Sequence, residues 1–234
     1  MRIPQKFQAV PGIGLSLYCP LCRQAMSPFH TTLKGRAYHL CPTCRFILLD
    51  PALHSSDQAQ KERYREHKNS ADNPGYVAMF QKFIDACVRP FAKPACRTLD
   101  LGCGPGPVLA GLLREAGHPT EIFDPFFFPQ IPPGNFDLVT LTEVLEHLPD
   151  PVAALRPWVG RLAPGGLLAG MTRFHPDDPL KFGAWPYRRD ITHVSFYVPK
   201  TLDIVARALG LSARFTDGER YFVWEKPAGP ADSP

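Results

Sequence analysis

From residue 74 onward, short solid apolar runs alternate with apolar residues at helical spacing. This pattern suits strands buried on both faces with helices packed between them. Tyr76, Val77, Phe80, Phe83, Ile84, Cys87 and Val88 recur at helical spacing and predict a helix lying on a sheet. Arg97 to Leu101 predicts a first strand, Val108 to Gly117 a helix, and Pro119 to Asp124 a second strand. Phe136 to Thr142 predicts a third, parallel strand. Pro149-Asp-Pro151 opens a helix expected to run to Leu162, where Ala163-Pro-Gly-Gly166 breaks it before a buried strand, Leu167 to Thr172. A helix from Pro199 to Leu209, stopped by Gly210, precedes two closing strands, Leu211 to Thr216 and Arg220 to Trp224. The expected fold is α/β, an open Rossmann-like sheet over residues 96–226.

The polarity changes upstream. Residues 51–73 are polar, with Lys61 to Lys68 reading as a solvated helix face and Asn73-Pro-Gly75 as a turn or helix start. The chain thus divides into a ribbon at 1–50, a helical linker at 51–95 with Tyr64, His67 and Tyr76 able to act as a lid, the core at 96–226, and a tail at 227–234.

At 234 residues, 44% hydrophobic, there is room for one core domain and a small appendage. No apolar run reaches membrane-spanning length, and no cleavage pattern follows Met1-Arg-Ile-Pro-Gln-Lys6, so a cytoplasmic protein with no membrane partner is expected. A net charge of +4 is too small to imply nucleic acid by itself. Seven cysteines in a reducing compartment are not expected to form disulfides.

Four of those cysteines have a pattern. Cys19-Pro-Leu-Cys22 and Cys41-Pro-Thr-Cys44 are two C-x2-C knuckles separated by eighteen residues, the spacing of a four-thiolate zinc ribbon. Four protein ligands leave no position for water, so the expected Zn2+ is structural. His30 and His39 are bystanders on this reading. Basic and aromatic residues interleave in the ribbon, which also fits a nucleic-acid face.

The first strand ends in an acid and runs into glycines: Asp100-Leu-Gly102-Cys-Gly104-Pro-Gly106. A dinucleotide turn requires a small residue where Pro107 stands, and a phosphate-binding loop requires Gly-Lys-Ser/Thr, which is missing. A carboxylate at this turn repels pyrophosphate but suits a ligand carrying an ammonium and a sulfonium, S-adenosylmethionine (SAM). Asp124 ends the second strand 24 residues later, where an acid can accept both hydroxyls of a ribose. Phe126 to Phe128 can cover an adenine ring. Cys103 is read as a filler of the tight turn.

Asp100-x-Gly102-x-Gly104-x-Gly106, Asp124, Phe136-Asp-Leu-Val139, Glu143-Val-Leu-Glu-His147 and Leu162-x-Pro164-Gly-Gly166 occur in one order. In these the chain resembles the class I SAM-dependent methyltransferases, including the ubiquinone-biosynthesis O-methyltransferases. The resemblance implies a seven-stranded sheet with its last strand antiparallel, and a donor site at Asp100, Gly102, Cys103, Gly104, Gly106, Asp124, Phe126, Thr142 and Glu143. In the ubiquinone enzymes Glu-x-x-Glu-His is linked to a divalent metal. Glu143, Glu146 and His147 match it, and the competing reading has Glu143 on SAM with Glu146 and His147 bonded to backbone. One departure stands out. Only eleven residues separate Asp124 from Phe136, too few for the helix and strand the pattern places there, so the sheet is expected to be shortened at that edge.

Methyl transfer requires a nucleophile in line with the sulfonium methyl. The loop from Phe182 to Tyr197 gathers aromatics, arginines, an acid and a histidine, and can form the acceptor pocket. His193 is the candidate base or acceptor-orienting group, with Asp190 setting its tautomer, and His147 is the second catalytic candidate. Tying the loop to the following helix is the competing role for His193 and Asp190. The expected function is methylation of an unidentified acceptor, read as a small molecule. The alternatives are an RNA methyltransferase that uses the ribbon for its substrate, and a binding protein with a degenerate core.

Overall fold

A computed structural model describes residues 17–66 and 70–228. The N-terminal stretch, His67 and most of the expected tail lie outside the described residues.

The core is a six-stranded sheet. Its strands are β4 (Thr98–Leu101), β5 (Thr120–Phe123), β6 (Phe136–Thr142), β7 (Leu162–Met171), β9 (Ser212–Thr216) and β10 (Tyr221–Glu225). Their order across the sheet is β5-β4-β6-β7-β10-β9. The first four are mutually parallel, and β10 lies antiparallel between β7 and β9. The edge beyond β5 holds no further strand among the described residues, as the eleven-residue gap requires. The seven strands implied by the resemblance are therefore six.

The period of two along each strand sorts the core into two layers. Leu138, Ala169, Met171 and Val223 face α2 (Pro74–Phe83), the π-turn Ile84–Val88 that prolongs it, and α3 (Val108–Glu115). Leu99, Val139, Leu141, Leu168 and Trp224 face α4 (Pro151–Val159) and α6 (Pro199–Ala208). Local signals set the helix starts. Asn73 accepts from the amides of Gly75 and Tyr76 with Pro74 in the first turn, and Asp150 accepts from Ala153 ahead of Pro151. Each such cap contributes about 1 kcal/mol.

One boundary differs from the sequence expectation. Residues 162–166 belong to β7 and not to a helix end and break. The Gly165 amide donates to the Lys226 carbonyl, and the Lys226 amide donates to Gly166, so the Pro-Gly-Gly segment is a bulged extension of the sheet.

The ribbon strands β1 (Ser27–Thr31), β2 (Ala37–Leu40) and β3 (Ile47–Leu49) form an antiparallel sheet. Its fourth strand, β8 (Ser195–Phe196), comes from the loop before α6, with Ile47 opposite Phe196 and Leu48 opposite Ser195. The short helix α5 (Pro179–Ala184) sits beside it, with Phe182 edge-on to Phe29 and Tyr38. The helix α1 (Asp57–Glu66) connects ribbon and core.

Candidate active site

The candidate donor residues meet where β4 and β5 end side by side. Gly102 and Gly104 have φ of +76° and +65°, a region open to glycine. A Cβ on Gly102 would lie 2.6 Å from Val144 Cγ2. Asp124 ties the two strand ends together. Its Oδ2 accepts from the Gly104 amide at 3.0 Å, and its Oδ1 accepts from Phe126 and Phe127 at 2.8 and 3.1 Å. Asp100 lies beneath the turn, buried, with Oδ1 accepting from the Thr140 hydroxyl at 3.1 Å and a further bond from the Ala110 amide. Burial pushes this carboxyl up to about 7, against those two bonds. Gly106 supplies the carbonyl that accepts from the Val108 amide as α3 begins. Cys103 is half-buried, and burial raises its thiol well above the ordinary range, which suits a turn filler and not a reactive thiolate.

The opposite wall starts at the end of β6. Thr142 is half-buried there, and Glu143 follows with φ +54°, a left-handed conformation that costs about 1–2 kcal/mol. A single 3-10 turn, Leu145–His147, then points Glu146 inward. Glu146 is fully buried. Its Oε1 accepts from the Tyr187 hydroxyl, and its Oε2 has no hydrogen-bond partner among the described residues. Burial holds both Glu143 and Glu146 above the usual carboxylate range, and the charge of Glu143 raises Glu146 further.

His193 is buried, and its Nδ1 lies 2.7 Å from the Tyr187 carbonyl. That carbonyl orients this nitrogen, the role sequence reasoning placed on Asp190. Asp190 Oδ1 accepts from the Thr192 amide and hydroxyl at 2.9 and 2.6 Å, and its Oδ2 accepts from Arg63 at 3.0 and 3.1 Å. His147 Nδ1 meets the Thr192 carbonyl at 3.1 Å, and its ring centre is 4.9 Å from that of His193. One ligand atom each of Glu146, His147 and His193 lies within 4.8 Å of the others. Glu143, part of the sequence pattern, is not in this set.

Tyr64 on α1 spans both walls, its ring 5.8 Å from Phe126 and 5.2 Å from His147. Burial raises the Tyr76 hydroxyl above its ordinary range, and the charges of Asp100 and Glu143 raise it further. Sequence reasoning missed Tyr187, Thr192 and Arg63 as contributors. Tyr187 was visible within Trp185-x-Tyr187-x2-Asp190, but its contact with an acid 41 residues earlier has no local signal.

The four knuckle cysteines form a second cluster, with every Sγ within 4.8 Å of the others. The Cys19–Cys44 and Cys22–Cys41 sulfur separations are both 3.4 Å.

A family model described as a methyltransferase domain matches residues 47–214. The chain belongs to this methyltransferase family. Its sheet is that of the class I SAM-dependent methyltransferases, lacking one edge strand. A ubiquinone biosynthesis O-methyltransferase from Xanthomonas campestris pv. campestris is 30% identical over 113 residues, 36% of this chain and 46% of that protein. The chain thus matches less than half the length of that relative. Among solved structures, an O-methyltransferase family protein from Burkholderia thailandensis aligns with a TM-score of 0.51 at 19% identity, covering 73% of this chain and 63% of that one. Mitomycin 7-O-methyltransferase aligns with a TM-score of 0.54 at 14% identity, covering 74% and 59%. These two likenesses concern the fold. The 100–106 turn falls inside the matched residues, and both cysteine knuckles fall outside them.

Proposed function

We propose that this methyltransferase takes SAM as donor in the crevice between the 100–106 turn and Asp124 and transfers its methyl to a small-molecule acceptor bound against residues 143–147 and 187–193. The observation that carries the reading is Asp124 joined to three backbone amides at the adjoining ends of β4 and β5, with Asp100 buried below. That arrangement presents negative charge and close backbone to a cationic donor that has no phosphate. The acceptor position left on Asp124 Oδ2 suits a hydroxyl of a ribose. On the acceptor side His193, oriented through Nδ1, is the proposed base, with His147 beside it. The ribbon at 17–50 carries a structural Zn2+ on Cys19, Cys22, Cys41 and Cys44 in this reading, and the four converging sulfurs fit that ion. The division into ribbon, helical connector and core follows from it. Among the described residues no helix is long and apolar enough to cross a membrane.

The pH dependence tests the donor site. The carboxyl of Asp100 is raised from its ordinary 3.8 to about 7, so the fold binds this proton more tightly than the unfolded chain does. Its contribution to stability is full below about pH 4 and is lost as pH rises through about 7. The donor-free protein should therefore lose stability from about pH 4 to 7 at this group, while SAM affinity rises between about pH 6 and 8 as the carboxylate of the folded protein ionises. Asp100→Asn should flatten both profiles. Profiles identical in wild type and variant would remove Asp100 from the donor site.

A second metal reading is favoured by one observation: the buried, unpartnered Oε2 of Glu146 beside two imidazoles that are both oriented through Nδ1. On this reading His193 is a ligand and not the base, and Glu146, His147 and His193 would hold a divalent ion of the imidazole-favouring kind. Bound there, it would act as a Lewis acid toward the acceptor's oxygen. Cobalt titration of zinc-loaded protein should then show one further equivalent, lost in Glu146→Gln. No uptake in the wild type contradicts it.

A further inference from the structure

The acceptor loop is built on the ribbon. Phe182, fully buried, is enclosed by ribbon rings, with centroids 5.5 Å from Phe29, 5.9 Å from His30 and 5.1 Å from Tyr38. The Tyr38 hydroxyl donates to the Arg188 carbonyl at 3.3 Å. The Arg36 guanidinium donates to the carbonyls of Asp190 and His193 at 3.3 and 3.2 Å. Every backbone stretch that carries a catalytic candidate in this loop thus meets a ribbon side chain.

The second thiolate knuckle grips the same region from the other end. The Thr201 hydroxyl, fully buried at the start of α6, donates to the Cys44 carbonyl at 2.8 Å. His175 Nε2 donates to the Arg45 carbonyl at 2.9 Å, and the His175 amide donates to Tyr197. Arg45 itself holds a left-handed φ of +64° and pairs with Asp177. The path then continues inward. Leu49 donates to the Val194 carbonyl at 2.7 Å, and Val194 donates to the Glu146 carbonyl at 2.8 Å. The hydroxyls of Ser195 and Tyr197 both donate to the Leu145 carbonyl at 2.9 Å. The backbone that leaves the Cys44 knuckle as β3 is thus hydrogen-bonded to Val194 and β8, which are bonded in turn to the carbonyls of Glu146 and Leu145. Among the described residues no hydrogen bond joins 17–49 to the donor turn at 100–106.

We infer that the ribbon is the platform of the acceptor half-site: Arg36, Tyr38 and the Cys41–Arg45 knuckle are positioning residues that set the loop 187–197 and the turn 145–147, while the donor half-site stands without them. The inference rests on the proposed division into donor and acceptor walls and on the proposed zinc. It gives the ribbon a purpose other than binding nucleic acid, because its inner face is already occupied by the loop. It also makes acceptor recognition sensitive to metal supply and to thiol oxidation, while donor binding is not.

Hydrogen exchange on the full chain tests this, with S-adenosylhomocysteine titrated calorimetrically and zinc measured on the same samples. Stripping the metal should raise amide exchange at 187–197 and 145–147 at least about tenfold more than that of β4 and β5. The affinity for S-adenosylhomocysteine should change by less than about threefold. Arg36→Ala, which leaves all four thiolates in place, should raise exchange at 188–194 alone, and Arg36→Lys should recover part of it. This variant decides the matter if the metal-free protein does not fold. Unchanged loop exchange in Arg36→Ala overturns the platform, as does loop exchange rising only together with that of β4 and β5. A protein that binds no zinc, or no S-adenosylhomocysteine, instead overturns the underlying reading and leaves the Arg36 arm to stand or fall by itself.

Discussion

Asp124→Ala should weaken S-adenosylhomocysteine binding by more than about a hundredfold, with the fold retained. The carboxylate accepts from three backbone amides, at Gly104, Phe126 and Phe127. Those bonds hold the crevice, and the proposed ribose bond to this charged acceptor contributes about 1.5–3 kcal/mol; a loss of about 3 kcal/mol in binding already exceeds a hundredfold. Without them the turn after β4 and the turn after β5 are no longer joined, so the crevice loses its width as well as its proposed ribose contact. Asp124→Asn keeps one acceptor oxygen and should fall between wild type and alanine. Calorimetry reads the affinity and circular dichroism reads the fold. An alanine variant that binds as wild type would remove Asp124 from the donor site and leave it only a turn-forming role.

Cys41→Ser should destabilise the protein strongly. Cys41, Cys44 and Cys19 are fully buried, and they share one apolar cluster with Phe46, Leu48, Tyr197 and Leu145. Losing a structural metal belongs to the small set of changes that cost about 4–5 kcal/mol or more. Here the cost should spread beyond the ribbon, because β3 carries β8 and the loop before α6. Elemental analysis should fall from one zinc per chain to none, and the midpoint of denaturant unfolding should drop with it. Cys103→Ser, at the donor turn, should keep the metal. Zinc retained in Cys41→Ser would break the four-thiolate assignment.

What could be read in advance was what the chain encodes locally. Phe136 to Thr142 is rich in apolar and β-branched residues and is β6 as expected, and Asn73-Pro74 starts α2 where the cap and the proline require. The eleven residues after Asp124 were enough to show that an edge strand had no room. The turn at 100–106 was legible because positive φ and close approach demand glycine, which leaves a fixed mark in sequence. Residues 162–166 misled because Pro-Gly-Gly signals a break, whereas the bulge is satisfied by Lys226 some sixty residues later. The acceptor wall was half legible. Glu146, His147 and His193 could be singled out by chemical type. That Tyr187 would reach Glu146, or that β8 would complete the ribbon sheet, depends on contacts across 41 and about 150 residues that leave no periodicity to read.

The most direct test of the account is a calorimetric comparison of two ligand classes on the wild-type chain, SAM against phosphate-bearing ATP and NAD. Two acids at neighbouring strand ends should accept SAM with one site per chain and refuse both nucleotides. SAM producing no heat, or either nucleotide binding with a structure that shows its phosphates against residues 102–106, would contradict it.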